Sequence, residues 1–275
     1  MKINITFNRA RYAAYTGLVE TIAFGTQKNN FTELDFRDLW LKNIQKHEGV
    51  IASGWYAPPP HGMAVLAGTT NYPSRISFDT LRNEPNWPTN NVINWKTNLL
   101  YCYCSPLNNE YGMPGDLAIT LYFGNDERII RHFQNTHKAT HEVINALAYV
   151  KNSNELFDVS QEIFASHHLK NCVISKTDLL PLDLGHTYPR VLNPLQSNLS
   201  ADDHKIISKA RQFINATSFW DFTEGLQFTI EPQLVSLDDV TLPQISYHYL
   251  LCKQEDFWLC NDVDALMDDY NLLRG

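Results

Sequence analysis

The sequence predicts an α+β fold in which helices pack on a curved antiparallel sheet. Two observations lead to this class. The elements occur in groups, with helices followed by strands, then helices, then strands again, and that order is typical of α+β proteins. The chain is also long enough, at 275 residues with 44% hydrophobic and 12% aromatic content, to bury a sizeable core. We expect one domain over residues 1–275.

The first group of elements is a pair of amphipathic helices. Apolar residues recur at three- and four-residue spacing over residues 9–24 and again over 32–45, as they do on one face of a helix. Gly25, Asn29 and Asn30 lie between the two stretches and favour a turn. The sequence therefore predicts two helices joined by a short loop.

A long irregular insertion is expected next, around residues 51–98. Pro58, Pro59 and Pro60 cannot lie inside a helix or a central strand, because proline has no amide hydrogen to donate. Residues 68–95 are rich in Asn, Pro, Thr and Trp and show little periodicity. Long irregular segments are often functional, so the aromatic and charged side chains of this insertion are candidates for ligand binding.

The rest of the chain alternates between strand and helix patterns. A turn at Pro114 and Gly115 separates two strand-like runs, and the strongest amphipathic pattern of the chain follows them. The expected elements are strands at 99–105 and 116–123, helices at 127–150 and 155–168, and strands at 173–175, 226–230 and 245–252.

The charge balance and the hydropathy pattern exclude two classes of partner. A net charge of −8 and an isoelectric point near 5.6 argue against the basic surface that nucleic-acid binding requires. No run of apolar residues is long enough to cross a membrane, and residues 1–6 are too polar for a signal peptide. We therefore expect a cytoplasmic protein whose partner is a small molecule or a peptide, and homodimerisation is left open.

The five cysteines indicate no redox or zinc chemistry. Their number is odd, and none forms a pair with the two-residue spacing of zinc ribbons or redox sites. Cys102 and Cys104 alternate with Tyr101 and Tyr103, so they should share one face of a strand. We expect free thiols in a reducing compartment.

Two motifs in the last third of the chain are the most informative. Residues 182–187 read Leu-Asp-Leu-Gly-His-Thr, and residues 225–232 read Gly-Leu-Gln-Phe-Thr-Ile-Glu-Pro. In that order they resemble the glycine-histidine and phenylalanine-threonine-isoleucine-glutamate-proline strands of the methionine aminopeptidase, Xaa-Pro dipeptidase and creatinase family. The resemblance covers about residues 9–260 and implies the family's pita-bread fold, a curved antiparallel sheet with two helix pairs outside. It further implies that domain alone, without the N-terminal domain that many relatives carry.

The resemblance also has consequences for a metal site. Family enzymes hold two divalent metals with two aspartates, one histidine and two glutamates. His186 and Glu231 match the histidine and one of the glutamates. The other positions hold Leu121 or Tyr122 for the first aspartate, Arg128 for the second, and Ser246 for the last glutamate. With most ligands replaced we expect no metal and no other cofactor, and we expect Arg128 to pair with Glu231.

Other matches predict groups near the same pocket. The family's second histidine corresponds to Asn193, and His61 resembles the His-Gly element at the mouth of the family's pocket. Tyr56 precedes the prolines, where an aromatic side chain can form one wall of a cleft. Arg82 can hold a carboxylate with two hydrogen bonds, which suits an amino acid or a peptide terminus.

Two histidine pairs lie outside these motifs. His137 and His141 stand four residues apart on a predicted helix, a spacing that can bind metal. No third ligand lies near them in the sequence, so we expect a solvated helix face. His167 and His168 receive the same interpretation.

The sequence leaves open whether the protein is an enzyme. The first hypothesis is a metal-independent enzyme acting on an amino-acid-like or other small acidic substrate in a remodelled pocket. Its catalytic groups would be His186, Glu231 and His61. Its substrate-binding residues would be Tyr56, Arg82, Tyr122, Arg128, Asn193 and Ser246.

Two alternatives stand beside that hypothesis. One is a catalytically silent relative that binds a peptide or a protein with the remnant cleft. The other is a metal-dependent aminopeptidase or dipeptidase with non-standard ligands. Its replacement carboxylates would come from Asp116, Asp126, Glu127 or Asp183.

Overall fold

The protein forms two compact units. The computed structural model describes residues 1–4, 8–54, 56, 59–69, 80–108, 113–173, 182–188 and 210–273. The N-terminal unit comprises Ile5–Gly124 with Pro189–Ala210, and the C-terminal unit comprises Met1–Asn4, Asn125–Tyr188 and Arg211–Gly275. The mixture of helices and antiparallel strands confirms the α+β class, whereas one domain over residues 1–275 stays a prediction.

The elements are numbered in chain order. The helices are α1 (Arg9–Gly25), α2 (Glu33–Gln45), α3 (Glu127–Ala146), α4 (Ser153–Ser166) and α5 (Asp262–Asp269). The strands are β1 (Lys2–Ile3), β2 (Val50–Ile51), β3 (Met63–Gly68), β4 (Leu99–Cys104), β5 (Leu107–Asn108), β6 (Leu117–Tyr122), β7 (Leu169–Asn171), β8 (Gln227–Ile230), β9 (Gln233–Ser236), β10 (Ile245–Ser246), β11 (Tyr249–Gln254) and β12 (Asp256–Leu259). In the part of the chain that the structure describes, no helix combines the length and the apolar character that crossing a bilayer requires.

The first helix pair of the N-terminal unit begins at polar caps. The side chain of Asn8 accepts a hydrogen bond from the first turn of α1, and Thr32 forms a reciprocal capping box with Asp35 at the start of α2. The two helices pack closely through Trp40, whose indole N–H donates to the carbonyl of Ala14 at 2.9 Å. That bond satisfies the single polar atom of a fully buried aromatic side chain.

A three-stranded antiparallel sheet, in the order β3-β4-β6, forms the core of the N-terminal unit. All residues of these strands are buried, and Cys102 and Cys104 share a face of β4 as predicted. β3 lies within residues 51–98, where the sequence predicted irregular structure. The prolines end in a single 3-10 turn at Pro60–Gly62, and the apolar run that follows them forms a central strand. The part of the insertion from Met63 to Gly68 is therefore regular structure.

A buried carboxylate fixes a later part of the same insertion. Glu33, at the first position of α2, is 0% exposed. Its oxygens accept hydrogen bonds from the backbone amides of Ala67 at 2.7 Å and Thr89 at 2.9 Å. The Thr89 hydroxyl and the Asn91 side-chain amide also donate to it. These donors thus hold the end of β3 and a loop segment against the start of one helix.

The C-terminal unit has two sheets and its own helix pair. β8, β11 and β12 are antiparallel neighbours, and β1 adds a parallel edge to β12. The second sheet has the order β10-β9-β7. Helices α3 and α4 pack against each other. Tyr249 at the start of β11 lies opposite Ile230 at the end of β8, next to the predicted site residue Glu231.

Several predicted bounds of the C-terminal unit need correction. α3 ends at Ala146 rather than at residue 150. α4 starts two residues early, at Ser153, because the Asn152 side chain accepts the backbone N–H of Glu155 and begins the helix there. The predicted strand at 245–252 is divided into β10 and β11.

Other elements of this unit were not predicted at all. Only residue 173 of the strand predicted at 173–175 is among the described residues, and it follows β7 without lying in a strand. The short strands β9 and β12 and the short helix α5 had no predicted counterpart.

Candidate functional site

The two sequence motifs meet in the C-terminal unit. The segment 182–188 runs alongside β8, where the backbone N–H of Thr229 donates to the carbonyl of His186 at 2.9 Å and that of Glu231 donates to Leu184 at 2.8 Å. Gly185 permits this approach, because a Cβ at that position would collide with the Thr229 carbonyl oxygen. His186 and Glu231 are therefore brought together, as the sequence predicts for two members of one site.

The His186 imidazole is buried and engaged at both nitrogens. Its Nδ1 lies 2.9 Å from the Thr187 carbonyl, so Nδ1 carries the proton and Nε2 holds the lone pair. Nε2 accepts a hydrogen bond from Nη1 of Arg211 at 3.3 Å. Burial, first, and the positive Arg211, second, hold the pKa of His186 well below its ordinary value of 6.5. The ring is therefore neutral at physiological pH.

Glu231 lies between two imidazoles. Its Oε1 is 3.7 Å from Nε2 of His186, and its Oε2 is 3.5 Å from Nδ1 of His248. Glu231 as a whole residue is 8% exposed, so its charge requires stabilisation by polar groups of the protein. We call these four residues the His186 cluster: His186, Arg211, Glu231 and His248.

Two members of the His186 cluster were missed by sequence reasoning. Arg211 is 8% exposed and lies with its guanidinium 5.4 Å from the ring centroid of Phe213, and no motif surrounds it in the sequence. The position of His248 in the sequence, in contrast, does indicate a place near the site. In an extended chain, residues two apart share a face, and His248 stands two residues beyond Ser246, the position matched to the family's last glutamate.

The prediction that Arg128 pairs with Glu231 is wrong. Arg128 lies in the first turn of α3 with 62% of its side chain exposed, and its guanidinium contacts Asp126 at 2.9 Å. Asp126 caps the same helix two residues earlier, so a carboxylate is already within reach of the exposed arginine. The hydrogen bond to Asp126 raises the pKa of Arg128. Arg211 is the guanidinium that reaches the predicted histidine.

The predicted site residues of the N-terminal unit lie at different positions in its fold. The Arg82 guanidinium lies 4.6 Å from the ring centroid of Tyr56, a cation-π contact that brings two predicted ligand-binding residues together. Tyr122 is 5% exposed at the end of β6. His61 is exposed and has a left-handed φ of 61°. Their roles in binding stay predictions.

Of two further predicted site residues, one is buried and the other lies outside the described residues. Ser246 ends β10 and is 2% exposed. Asn193 lies outside the described residues.

The solvated helix face predicted for His137 and His141 is wrong. Nε2 of each ring lies about one hydrogen-bond length from Oδ1 of Asp264, at 2.9 Å and 3.0 Å. Asp264 is more than 120 residues away in the chain, so no local pattern could reveal it. His167 is likewise paired, with Glu142 at 2.9 Å, whereas His168 is 69% exposed beside the equally exposed Asp238.

A cavity of about 450 Å³ lies in the N-terminal unit. Its polar lining includes Asn91, Asn94 and Asn98, all from the segment predicted as an insertion. None of its lining residues was matched to the family's motifs, and none belongs to the C-terminal unit.

Comparison with known proteins identifies the fold. Neither a family model nor a curated protein matches the sequence. Among solved structures, the X-Pro aminopeptidase of Thermotoga maritima MSB8 aligns at a TM-score of 0.57 and 14% identity, over 92% of this chain and 58% of its own. The dipeptidase PepE of Mycobacterium ulcerans aligns at 0.59 and 12% identity, over 91% and 55%.

A shorter relative aligns over nearly its whole length. The methionine aminopeptidase of Rickettsia prowazekii gives a TM-score of 0.54 at 14% identity, over 92% of this chain and 95% of its own. The chain thus spans little more than half of the X-Pro aminopeptidase and dipeptidase, and nearly all of the methionine aminopeptidase. Identities this low show the fold and not the activity. The chain has the pita-bread fold of the methionine aminopeptidases, X-Pro aminopeptidases and dipeptidases, as its two motifs predicted.

Proposed function

We propose that this chain is a divergent member of the aminopeptidase, dipeptidase and creatinase family that works without the family's two metals. In this proposal the His186 cluster binds an amino-acid-like or other small acidic molecule. The observation that carries it is the contact of 3.3 Å between Arg211 Nη1 and His186 Nε2 inside a buried cluster with Glu231. The Arg211 guanidinium donates a hydrogen bond to His186 Nε2, whose lone pair a metal would otherwise need.

The four residues of the His186 cluster do not suit a dinuclear metal site. A divalent ion and a guanidinium about 4 Å apart repel each other by roughly 8 kcal/mol at an effective dielectric constant near 20. Glu231 brings one negative charge to offset this. Among the described residues, the His186 cluster also does not supply three metal-ligating atoms within 4.8 Å of one another. These features support a site in which Arg211 recognises an anion.

The chemistry of such a site follows from its hydrogen bonds. A ligand carboxylate can accept two parallel hydrogen bonds from Arg211, which is the strongest form of carboxylate recognition. The guanidinium would then turn from His186, and Nε2 would be free to accept a proton from the ligand. The Thr187 carbonyl holds Nδ1–H in place, so the ring keeps its orientation during that step. Glu231 lies close enough to stabilise the resulting imidazolium.

A second candidate is a catalytically silent protein that binds a peptide or a protein. The observation that favours it is the engagement of both nitrogens of His186 within the chain. With its pKa well below 6.5, the ring is a weak base at neutral pH. In this candidate the same carboxylate recognition by Arg211 operates, but no proton transfer follows.

The test has two parts, metal content and ligand binding. Protein purified without a metal-binding tag is analysed by elemental mass spectrometry, before and after loading with Mn, Fe, Co and Zn. Calorimetric titrations with amino acids, dipeptides and small dicarboxylates then compare the wild type with Arg211→Gln and with Arg131→Gln. Arg131 is a suitable control because its side chain is 67% exposed and belongs to the same unit.

We expect acidic ligands to bind the wild type and Arg131→Gln equally, and Arg211→Gln at least about tenfold more weakly. Turnover of a bound ligand, lost in His186→Gln, indicates the enzyme, and binding without turnover indicates the silent protein. Stoichiometric metal that is abolished by His186→Ala or Glu231→Ala contradicts the proposal and supports a metallopeptidase with non-standard ligands.

A further inference from the structure

Three side chains outside the His186 cluster are arranged as metal ligands. His137 and His141 lie one turn apart on α3, with ring centroids 4.3 Å apart, and Asp264 reaches them from α5. Among the described residues, they are the one group of three or more His, Cys, Asp or Glu side chains whose ligand atoms all lie within 4.8 Å of one another. Both helices belong to the C-terminal unit. We call this group the α3-α5 cluster.

The distances in the α3-α5 cluster are near those that a tetrahedral ion imposes. Metal-ligand bonds of about 2.0–2.1 Å at tetrahedral angles place neighbouring donor atoms roughly 3.3–3.4 Å apart. Asp264 Oδ1 lies 2.9 Å from Nε2 of His137 and 3.0 Å from Nε2 of His141. The two carboxylate-imidazole distances therefore need to lengthen by only a few tenths of an ångström to admit the ion.

The chemistry of the three donors selects the kind of ion. Two imidazoles and one carboxylate are a donor set that zinc uses in sites that keep one position open for water. Imidazole nitrogen also suits copper and nickel, whereas magnesium and calcium require oxygen-rich sites. The side chains are 19%, 26% and 24% exposed, so an ion can enter from solvent without the unit unfolding.

A supporting residue holds the carboxylate in position. The Tyr249 hydroxyl donates to Asp264 Oδ1 at 2.7 Å, and the Tyr249 ring packs edge-to-face against His141 at 5.3 Å. Such outer contacts orient metal ligands and strengthen binding. Burial raises the pKa of Asp264, but the hydrogen bonds from His137 and His141 outweigh it, and the pKa lies well below its ordinary value of 3.8. The carboxylate is therefore ionised and ready to bind a cation.

We propose that His137, His141 and Asp264 bind a transition-metal ion, zinc above all, and that the ion links α5 to α3 within the C-terminal unit. Each imidazole bonds to the ion through the Nε2 lone pair, so any proton on Nε2 is released or resides on Nδ1 instead. Metal and protons therefore compete for the same nitrogen atoms. This inference does not depend on the function proposed for the His186 cluster.

The experiment titrates metal-stripped, untagged protein with zinc chloride by calorimetry and with cobalt chloride by visible absorption. We expect one ion per chain, and the visible bands of tetrahedral cobalt, in the wild type. The variants His137→Gln, His141→Gln and Asp264→Asn should each bind zinc at least about tenfold more weakly, because each removes one of three ligands. Magnesium and calcium should give no heat.

Matched controls separate this site from others. His168→Gln removes an exposed histidine of the same unit and should bind zinc as the wild type does. His186→Gln should also retain the ion. The far-ultraviolet circular dichroism and thermal midpoint of every variant without metal establish that it is folded, and zinc should raise the midpoint of the wild type but not of Asp264→Asn.

Three outcomes would overturn the proposal. They are no zinc binding by the wild type at millimolar concentration, equal binding by the wild type and the folded Asp264→Asn, or binding that is lost in His186→Gln and kept in His141→Gln. The last outcome would place the ion at the His186 cluster and contradict the function proposed there. The first two leave that function untouched, so the two proposals fail separately.

Discussion

The two units share an architecture but differ in how they use buried charge. Each has a helix pair and antiparallel strands. In the N-terminal unit, the buried Glu33 accepts hydrogen bonds from uncharged donors of β3 and of a loop and holds both segments in place. In the C-terminal unit, the buried Glu231 lies between His186 and His248, which can change charge. In the function proposed above, similar scaffolds thus use one carboxylate for structure and another for ligand binding.

The helix starts make the comparison sharper. Glu33 is the first residue of α2 and Glu127 is the first residue of α3. The Glu33 side chain is buried, whereas 82% of the Glu127 side chain is exposed. The same residue type at the same helix position can therefore be compared directly between the units.

The largest expected effect is the loss of stability on Glu33→Ala. The change leaves two backbone amides and two side-chain donors without their acceptor, and we expect the free energy of unfolding to fall by roughly 3–5 kcal/mol. Urea unfolding measures it, with Glu127→Ala as the matched control that should show no measurable change. Equal effects of the two substitutions would break the comparison.

The next prediction concerns pH. His186 has a folded pKa below 6.5, so the unfolded chain binds more protons than the folded one between the two pKa values. Its contribution to stability is therefore present above about pH 6.5 and is lost as the pH falls towards the folded pKa. Arg211→Gln removes one cause of the depression and should raise the pKa of His186, which makes the loss on acidification smaller.

Two measurements check the pH prediction. Nuclear magnetic resonance titration of the imidazole reports the pKa of His186 in the wild type and in Arg211→Gln. Thermal midpoints between about pH 5 and pH 8 report the stability of both proteins. Buried His132 also has a lowered pKa and acts in the same direction, so the difference between the two proteins is the relevant quantity. A pKa of His186 that does not rise in Arg211→Gln contradicts the contact.

A smaller effect is expected at the Arg82–Tyr56 contact of the N-terminal unit. A partly exposed cation-π pair contributes about 0.5–1 kcal/mol. A double-mutant cycle with Arg82→Gln and Tyr56→Leu, followed by urea unfolding, isolates that coupling. A coupling energy near zero would show that the two side chains do not act together, and would remove the reason for treating them as one ligand-binding wall.

The smallest effect is expected at Arg128. Its guanidinium pairs with Asp126 on an exposed helix turn, whereas the guanidinium of Arg211 contacts the buried His186. Exposed ion pairs contribute little, so Arg128→Ala should leave the unfolding midpoint in urea unchanged. A large loss of stability would mean that Arg128 contacts a buried carboxylate, as the sequence first predicted.

Local sequence patterns predicted the parts of the fold that depend on local physics. The helices α1 and α2 and the alternating strand β4 follow from the spacing of residues that lie close to one another in the chain. β3 was missed because its apolar run follows three prolines. Proline interrupts strand pairing at its own position, but a strand can begin shortly after it. α5 was missed because eight residues with four aspartates show too little periodicity.

The candidate site was predictable only where a motif preserved it. His186 and Glu231 were found because their neighbours resemble a known pair of strands. Arg211 and Asp264 were not found, because each reaches its partners through tertiary packing across many intervening residues. His248 could have been predicted, because residues two apart in an extended chain share a face and His248 stands two residues beyond Ser246.

His248, directly before β11, and Tyr249, its first residue, contact different clusters. His248 lies beside Glu231, and Tyr249 donates to Asp264. Because the peptide between them is rigid and successive side chains of extended chain point to opposite sides, a displacement of the backbone here moves one residue of each pair. A ligand that shifts this peptide on binding one cluster would alter the affinity of the other, and thermodynamic reciprocity would make the two effects equal in size.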